Sequence, residues 1–223
     1  GTGYLTRSSL LADLTSGSQV DAQLPAAVAA KSGMAGFGAA VALVGISSTQ
    51  HVIVGAPGMA GGTGAVFYHA QLYGFSPSSW QQLLPAAVVE LPISGSLGAA
   101  VADVGQSDTS DSRVSFWRNA VAAGAPGHDG GAGGLVVLVV DGAGALVADP
   151  AVLNGTEAVG GASVTGFGSA LAGVPDVTGD GVCDLIVGAH GQLFVLPVFV
   201  NYTTTSPQLV SFGQLVELQL SPL

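Results

Sequence analysis

The chain has 223 residues, of which four are Lys or Arg and fourteen are Asp or Glu, so its net charge at pH 7 is −10. Because no basic run is present, this balance argues against electrostatic binding to nucleic acid or to anionic lipid. Only 8% of the residues are charged, which suggests a surface covered by partners or glycans. The apolar runs at 135–140 and 193–200 are too short to cross a bilayer as helices.

The predicted elements are strands, because Val, Leu, Ala and Gly dominate and turn signals recur about every eight to twelve residues. The first segment, 1–36, holds an apolar stretch at 24–31 that we interpret as strand or loop. In the next segment we predict strands at 37–44, 51–54, 65–69 and 88–91. Four strands joined by tight turns predict a propeller blade, since blades of four-stranded sheet leave only short, protected edges.

A pair of motifs recurs three times along the chain. A Phe-Gly or Leu-Gly pair begins at Phe37, Leu97 and Phe167, and a Gly-Ala turn follows at Gly55, Gly124 and Gly188. The period of about 60 to 70 residues indicates a repeat architecture. The many Ala and Gly residues favour such a repeat of sheets, because the innermost strands of neighbouring sheets lie close together and leave no room for larger side chains. We expect Phe37 and Phe167 to act as wedges between adjacent sheets.

The most specific chemical motif is the acidic loop at 176–184. Hard cations such as Ca²⁺ bind about six or more oxygens, and acidic residues at alternating positions of a loop direct such oxygens towards one point. Thr178 is a neutral and weaker ligand than a carboxylate, so it lowers the charge of the site. The alternative is a solvated acidic turn. The candidate ligands are the side chains of Asp176, Thr178, Asp180 and Asp184 and the backbone carbonyl of Val182.

The corresponding connections of the other two repeats differ from this loop. The first, at 46–51, contains no carboxylate and is predicted to be metal-free. The second is longer and ends at Asn119, which aligns with the closing ligand position, but no clean alternation of acids precedes it. It also contains Phe116, Trp117 and Arg118, a candidate contact loop, since aromatic and Arg residues are favoured in interfaces. The alternative is that Trp117 folds back over its own sheet.

With these motifs the chain resembles the FG-GAP repeats of the integrin α-subunit propeller and of related extracellular propellers, most closely at 167–191. The resemblance covers nearly the whole chain and implies Ca²⁺ binding at 176–184, although Thr178 stands where Asp or Asn is usual. It implies an all-β propeller in four parts. These are the outer strands of a preceding blade (1–36), a metal-free blade (37–96), a blade with an expanded loop (97–166) and a blade with a calcium loop (167–223).

Three and a half blades are fewer than the usual range of about four to eight, so the ring cannot close with this chain alone. We therefore expect a fragment of a longer protein, in keeping with the lack of an initiator Met or signal peptide. A bolder hypothesis is that two half-rings associate into one ring.

Two sequons, at Asn154 and Asn201, are candidate N-glycosylation sites in outer connections. Together with the resemblance they predict an extracellular or cell-surface protein. Cys183 is the only cysteine, so no internal disulfide is expected and a buried, inert thiol is favoured. The four histidines show no metal-site spacing, and no nucleophile elbow or dinucleotide loop is present. We read His128 and Asp129 as turn residues and do not expect an enzyme.

By resemblance, the expected function is a calcium-stabilised extracellular module that binds a protein or mediates cell adhesion. Two alternatives stay open. One is a structural subunit of a wall, matrix or surface filament, in which low charge reflects permanent burial. The other is a non-catalytic propeller attached to an enzyme. The expected partners are proteins, including other chains that complete the propeller, and neither nucleic acid nor direct membrane insertion is expected.

Overall fold

The computed structural model describes residues 36–44, 51–70, 80–84, 93–104, 119–140, 146, 149–202 and 207–218. Within these residues the regular structure is mostly antiparallel β-sheet, so the prediction of an all-β chain is confirmed. The described strands form three sheets, and each sheet is built from strands that follow one another in the chain. The strands predicted within 1–36 lie outside the described residues, apart from residue 36 itself.

The first sheet comprises β1 (Ala40–Val44), β2 (His51–Gly55), β3 (Val66–Ala70) and β4 (Trp80–Leu84), in that order. The predicted second and third strands agree with β2 and β3 to within one residue. The first strand begins at Ala40 and not at Phe37, because Gly36 and Gly38 adopt positive φ and turn the chain before β1.

The predicted fourth strand of this sheet was wrong. Trp80–Leu84 pairs with β3 and fills the fourth position, whereas 88–91 lies outside the described residues. The two glutamines at the centre of β4 gave it a weaker apolar signal than the Val-rich stretch that follows. Because Pro85 comes directly after β4 and cannot donate a backbone hydrogen bond, the strand ends there.

The second sheet has β5 (Ala100–Asp103), β6 (Asn119–Gly124), β7 (Gly134–Val140) and β8 (Ala151–Asn154). The third has β9 (Ala170–Val174), β10 (Asp184–Ala189), β11 (Gln192–Tyr202) and β12 (Pro207–Phe212), while the short β13 (Val216–Glu217) also pairs with β11. Helical turns are brief: α1 (Met59–Gly62), α2 (Gly155–Ala158) and a 3₁₀ turn (Asp129–Gly131). No helix of the described residues is long and apolar enough to cross a membrane.

The sheets stack through their first strands, so that β5 contacts both β1 and β9. Alternate side chains of β5 point to opposite faces. Val101 joins the apolar core shared with the first sheet, and Ala102 joins the core shared with the third. The second sheet is therefore covered on both faces, and its residues from Leu135 to Val140 are almost completely buried.

Successive sheets meet at the recurring glycines. A Cβ added to Gly55 would lie 1.9 Å from the carbonyl oxygen of Gly98, and a Cβ added to Gly124 would lie 1.9 Å from that of Gly168. No side chain fits at either position. The repeat motif thus marks places where the backbones of two sheets touch.

Hydrogen bonds and buried side chains reinforce this contact. The N–H of Leu97 donates to the Thr63 carbonyl, and in the same way the N–H of Phe167 donates to the Ala132 carbonyl. The Phe167 side chain is fully buried in the core between the second and third sheets, as expected of a wedge. Phe37 is buried too and packs edge-on against Phe67, with ring centroids 5.4 Å apart.

Candidate metal site

The acidic loop connects β9 to β10, and its last residue, Asp184, begins β10 between Val174 and Pro197. Asp184 is 0% exposed and is the one buried charged residue among those that the structure describes. Its Oδ2 accepts hydrogen bonds from the backbone N–H groups of Val177 (2.7 Å) and Thr178 (2.9 Å), and its Oδ1 accepts one from the Thr178 hydroxyl (3.2 Å). Because burying an unpaired carboxylate is costly, these bonds fix the start of the loop against the strand.

Asp176 organises the middle of the loop. Its Oδ1 accepts from the N–H groups of Gly179 (2.6 Å) and Asp180 (3.1 Å), and its Oδ2 accepts from that of Gly181 (2.8 Å). The pKa of Asp176 lies below its ordinary value, mainly because of the hydrogen bond from Gly181. Lost hydration raises this pKa, and the hydrogen bonds from Gly179 and Asp180 lower it further. The carboxylate is thus favoured in its charged form.

Asp180 completes the pattern, because its Oδ1 accepts from the Val182 N–H at 3.0 Å. Six consecutive backbone amides, from Val177 through Val182, therefore all donate to carboxylates of the same loop. Gly179 and Gly181 have φ of +81° and +86°, which lets the backbone turn its amides inward. The loop is thus closed by carboxylates of its own sequence, with Asp184 anchored at the start of β10.

The candidate ligand atoms are of the chemical type that Ca²⁺ prefers, since all are carboxylate, hydroxyl or carbonyl oxygens. The structure brings Thr178 and Asp184 into direct contact. It does not bring the three carboxylates to one point, and in the described part of the chain no three Asp, Glu, His or Cys side chains are grouped as metal ligands. Asp176 and Asp180 are exposed and have lone pairs left beyond these hydrogen bonds.

The other predicted site residues lie elsewhere. Phe116, Trp117 and Arg118 fall outside the described residues. Asn154 ends β8 and Asn201 lies within β11, so both sequons begin in strands and not in the predicted outer connections. Cys183 is half-buried beside Asp184, not fully buried as expected.

A second polar cluster surrounds His128, which sequence reasoning treated only as a turn residue. The Ser94 N–H donates to His128 Nδ1 at 3.3 Å, so Nε2 carries the ring hydrogen and donates to Asn154 Oδ1 at 2.9 Å. The Thr156 hydroxyl donates to the neighbouring Asp129 carboxylate at 3.4 Å. His128 thus ties the segment before Leu97 to the end of β8. No local pattern could reveal this, because Ser94 and Asn154 are distant in sequence.

Comparison with models of known protein families and with curated proteins gives no match. The features of the molecule that indicate a function are the stacking of its sheets, the geometry of its acidic loop and its motif residues.

Proposed function

We propose that the chain is part of an FG-GAP type β-propeller that serves as an extracellular protein-binding or cell-adhesion module, stiffened by Ca²⁺ at 176–184. One observation supports the assignment of a propeller. Each of the first two sheets is a four-stranded meander that places its first strand against the first strand of the next sheet. Sheets that pack radially through their innermost strands are typical of propellers.

A binding role is supported by the way the acidic loop is held. Val177 is 60% exposed at this loop, while its own backbone N–H is fixed to Asp184. An apolar side chain on a preorganised loop can bind a partner without a large ordering cost. Binding residues generally concentrate on loops that a rigid scaffold positions.

The calcium part rests on the oxygen donors and on the resemblance. Asp176, Thr178, Asp180 and Asp184 would hold the ion together with the Val182 carbonyl, and the ion would supply positive charge to the carboxylates of the loop once these turn towards it. Asp180 is exposed and engages one backbone amide, so it can turn towards a cation with the smallest loss of existing contacts.

A thermal titration with Ca²⁺ tests the metal assignment. Because an ion that binds only the native state stabilises it by mass action, a concentration 100 times Kd should add about 2.7 kcal/mol to the free energy of unfolding. Ca²⁺ should therefore raise the Tm of the natural chain. It should not raise the Tm of Asp180→Ala.

Asp149→Ala provides the matched control, because Asp149 is also exposed but lies outside the loop. This variant should respond to Ca²⁺ like the natural chain. A natural chain whose Tm does not change would remove calcium from the proposal, while the stacking of the sheets would still support the propeller.

A further inference from the structure

The three first strands share one pattern, Ala-x-Ala-x-Val, counted from Ala40, Ala100 and Ala170. In the first sheet this face packs against the second sheet, since Val44, Ala40 and Ala42 belong to the core between them. In the second sheet Ala102 and Val104 belong to the core shared with the third sheet. The Ala-x-Ala-x-Val face is thus the one that receives the following sheet.

Among the residues that the structure describes, no further sheet lies against the same face of the third sheet. Ala170 and Ala172 are exposed and Val174 is half-buried. Gly188 is buried and occupies the position of Gly55 and Gly124, yet the three atoms nearest to a Cβ added there all belong to Ala170, at 3.1 to 3.6 Å, and none belongs to another sheet. We call Ala170, Ala172, Val174 and Gly188 the tail surface.

The face of β1 that points away from the second sheet is also exposed, whereas the corresponding face of β5 is covered by the first sheet. Val101 of β5 is 8% exposed and packs towards the preceding sheet, whereas its counterpart Val41 is 44% exposed. Leu43, two residues further along β1, is 46% exposed. Gly98 and Gly168 are buried against a preceding glycine, but Gly38 is exposed. We call Gly38, Val41 and Leu43 the head surface.

We propose that the tail surface of one copy of this chain binds the head surface of a second copy. Both surfaces are apolar, and the two internal interfaces already join an Ala-x-Ala-x-Val face to a face of the head type. The second copy would place its Gly38 beside Gly188, as Gly98 lies beside Gly55. This inference goes beyond the proposed function, because it requires neither calcium nor an external ligand.

The copy-to-copy contact is weaker than the internal ones for a visible reason. The first two sheets each extend a glycine-rich arm between their second and third strands, and the arms form the parallel bridges Gly64 to Leu97 and Gly133 to Phe167. In the third sheet β10 and β11 are joined by the tight turn at His190 and Gly191, with no arm. Reversible association is therefore expected.

The contact is heterologous, since each copy contributes a different surface, so it leads to a ring or an open chain. Sedimentation of the 223-residue chain in the presence of a calcium chelator tests it. The natural chain should show a mass that rises with concentration above the 21.7 kDa of one copy. Ala172→Glu, which blocks the tail, and Val41→Glu, which blocks the head, should each remain monomeric.

An equal mixture of the two variants provides the decisive result. Each variant retains one intact surface, so the mixture should form a complex of two chains and nothing larger. Ala162→Glu is the matched control, because it makes the same Ala-to-Glu change as Ala172→Glu at an exposed position outside both surfaces and outside the acidic loop, and it should associate like the natural chain. Circular dichroism should show the natural β-sheet spectrum for all three variants.

Two outcomes would overturn the proposal. The first is a natural chain that stays monomeric up to a concentration of about 1 mM, where even weak contacts are populated. The second is a Val41→Glu variant that still associates alone, since that would mean a tail-to-tail contact.

Discussion

The second and third sheets have the same order of strands, but different groups hold them in place. The second sheet is covered on both faces and meets its neighbours at Gly98 and Gly124, where only backbone fits. The third is covered by the second sheet on one face, and its β9 to β10 loop is closed by the carboxylates of Asp176 and Asp184. The close approach of the sheets at these glycines thus depends on the absence of side chains, whereas loop closure depends on the presence of two carboxylates.

The largest expected effect comes from adding a methyl group to the second sheet. In Gly124→Ala the new Cβ would lie 1.9 Å from a backbone oxygen of Gly168, so the two sheets must separate. We expect the free energy of unfolding to fall by about 3 kcal/mol or more, because no flexible side chain can move aside. Denaturant unfolding followed by circular dichroism measures the loss.

Gly188→Ala is the control in the third sheet. The nearest atom to the new Cβ is the Ala170 Cβ at 3.1 Å, which a small adjustment can relieve, so a loss below about 1 kcal/mol is expected. Equal losses at both glycines would contradict the view that contact between sheets explains the first effect.

An intermediate effect is expected when the loop loses its buried acceptor. Asp184→Ala leaves the amides of Val177 and Thr178 without their partner, and we expect a loss of about 1 to 3 kcal/mol in the free energy of unfolding. Asp184→Asn keeps one oxygen acceptor and should lose less. If denaturant unfolding gives the same stability for both variants, hydrogen bonding to these amides is not the role of Asp184.

The smallest expected effect is a change in how the Tm depends on pH in acid. Because the pKa of Asp176 is lower in the folded chain than its ordinary value, its stabilising contribution is complete above about pH 4 and is lost as the pH falls through the lowered value. Asp176→Asn removes this contribution, so its Tm should fall less than that of the natural chain on acidification from about pH 4. Melting in chelator across this range measures the difference.

Asp149→Asn serves as the reference for this experiment, since Asp149 is exposed outside the loop. The reference variant should keep the acid response of the natural chain. A response lost equally in both variants would show that general charge, not the hydrogen bonds to Asp176, is responsible.

Much of the fold was accessible from the sequence because its signals are local. Apolar runs bounded by Gly and Pro located β2 and β3, and the recurring glycines located the contacts between sheets. β4 was misplaced, because its glutamines hide an edge strand that only pairing with β3 defines.

The sequence indicated where the candidate site lies along the chain, but not which hydrogen bonds its carboxylates accept. Spacing indicated a connection between two strands at 176–184, and the structure places this segment between β9 and β10, with Asp184 as the first residue of β10. Spacing could not show that Asp184 is fully buried, or that six successive amides turn towards carboxylates. Both facts depend on the backbone path of the loop. The bonds of His128 to Ser94 and Asn154 were inaccessible for another reason, since they join segments that only the tertiary fold brings together.

The continuity of each sheet along the chain affects how the molecule folds. Every sheet is a meander of consecutive strands, and each meets its neighbour through residues of the next segment. Stability in such an arrangement is approximately a sum over units and their shared boundaries. A growing chain can complete one meander before the next is made, and each later meander adds to a surface that is already formed.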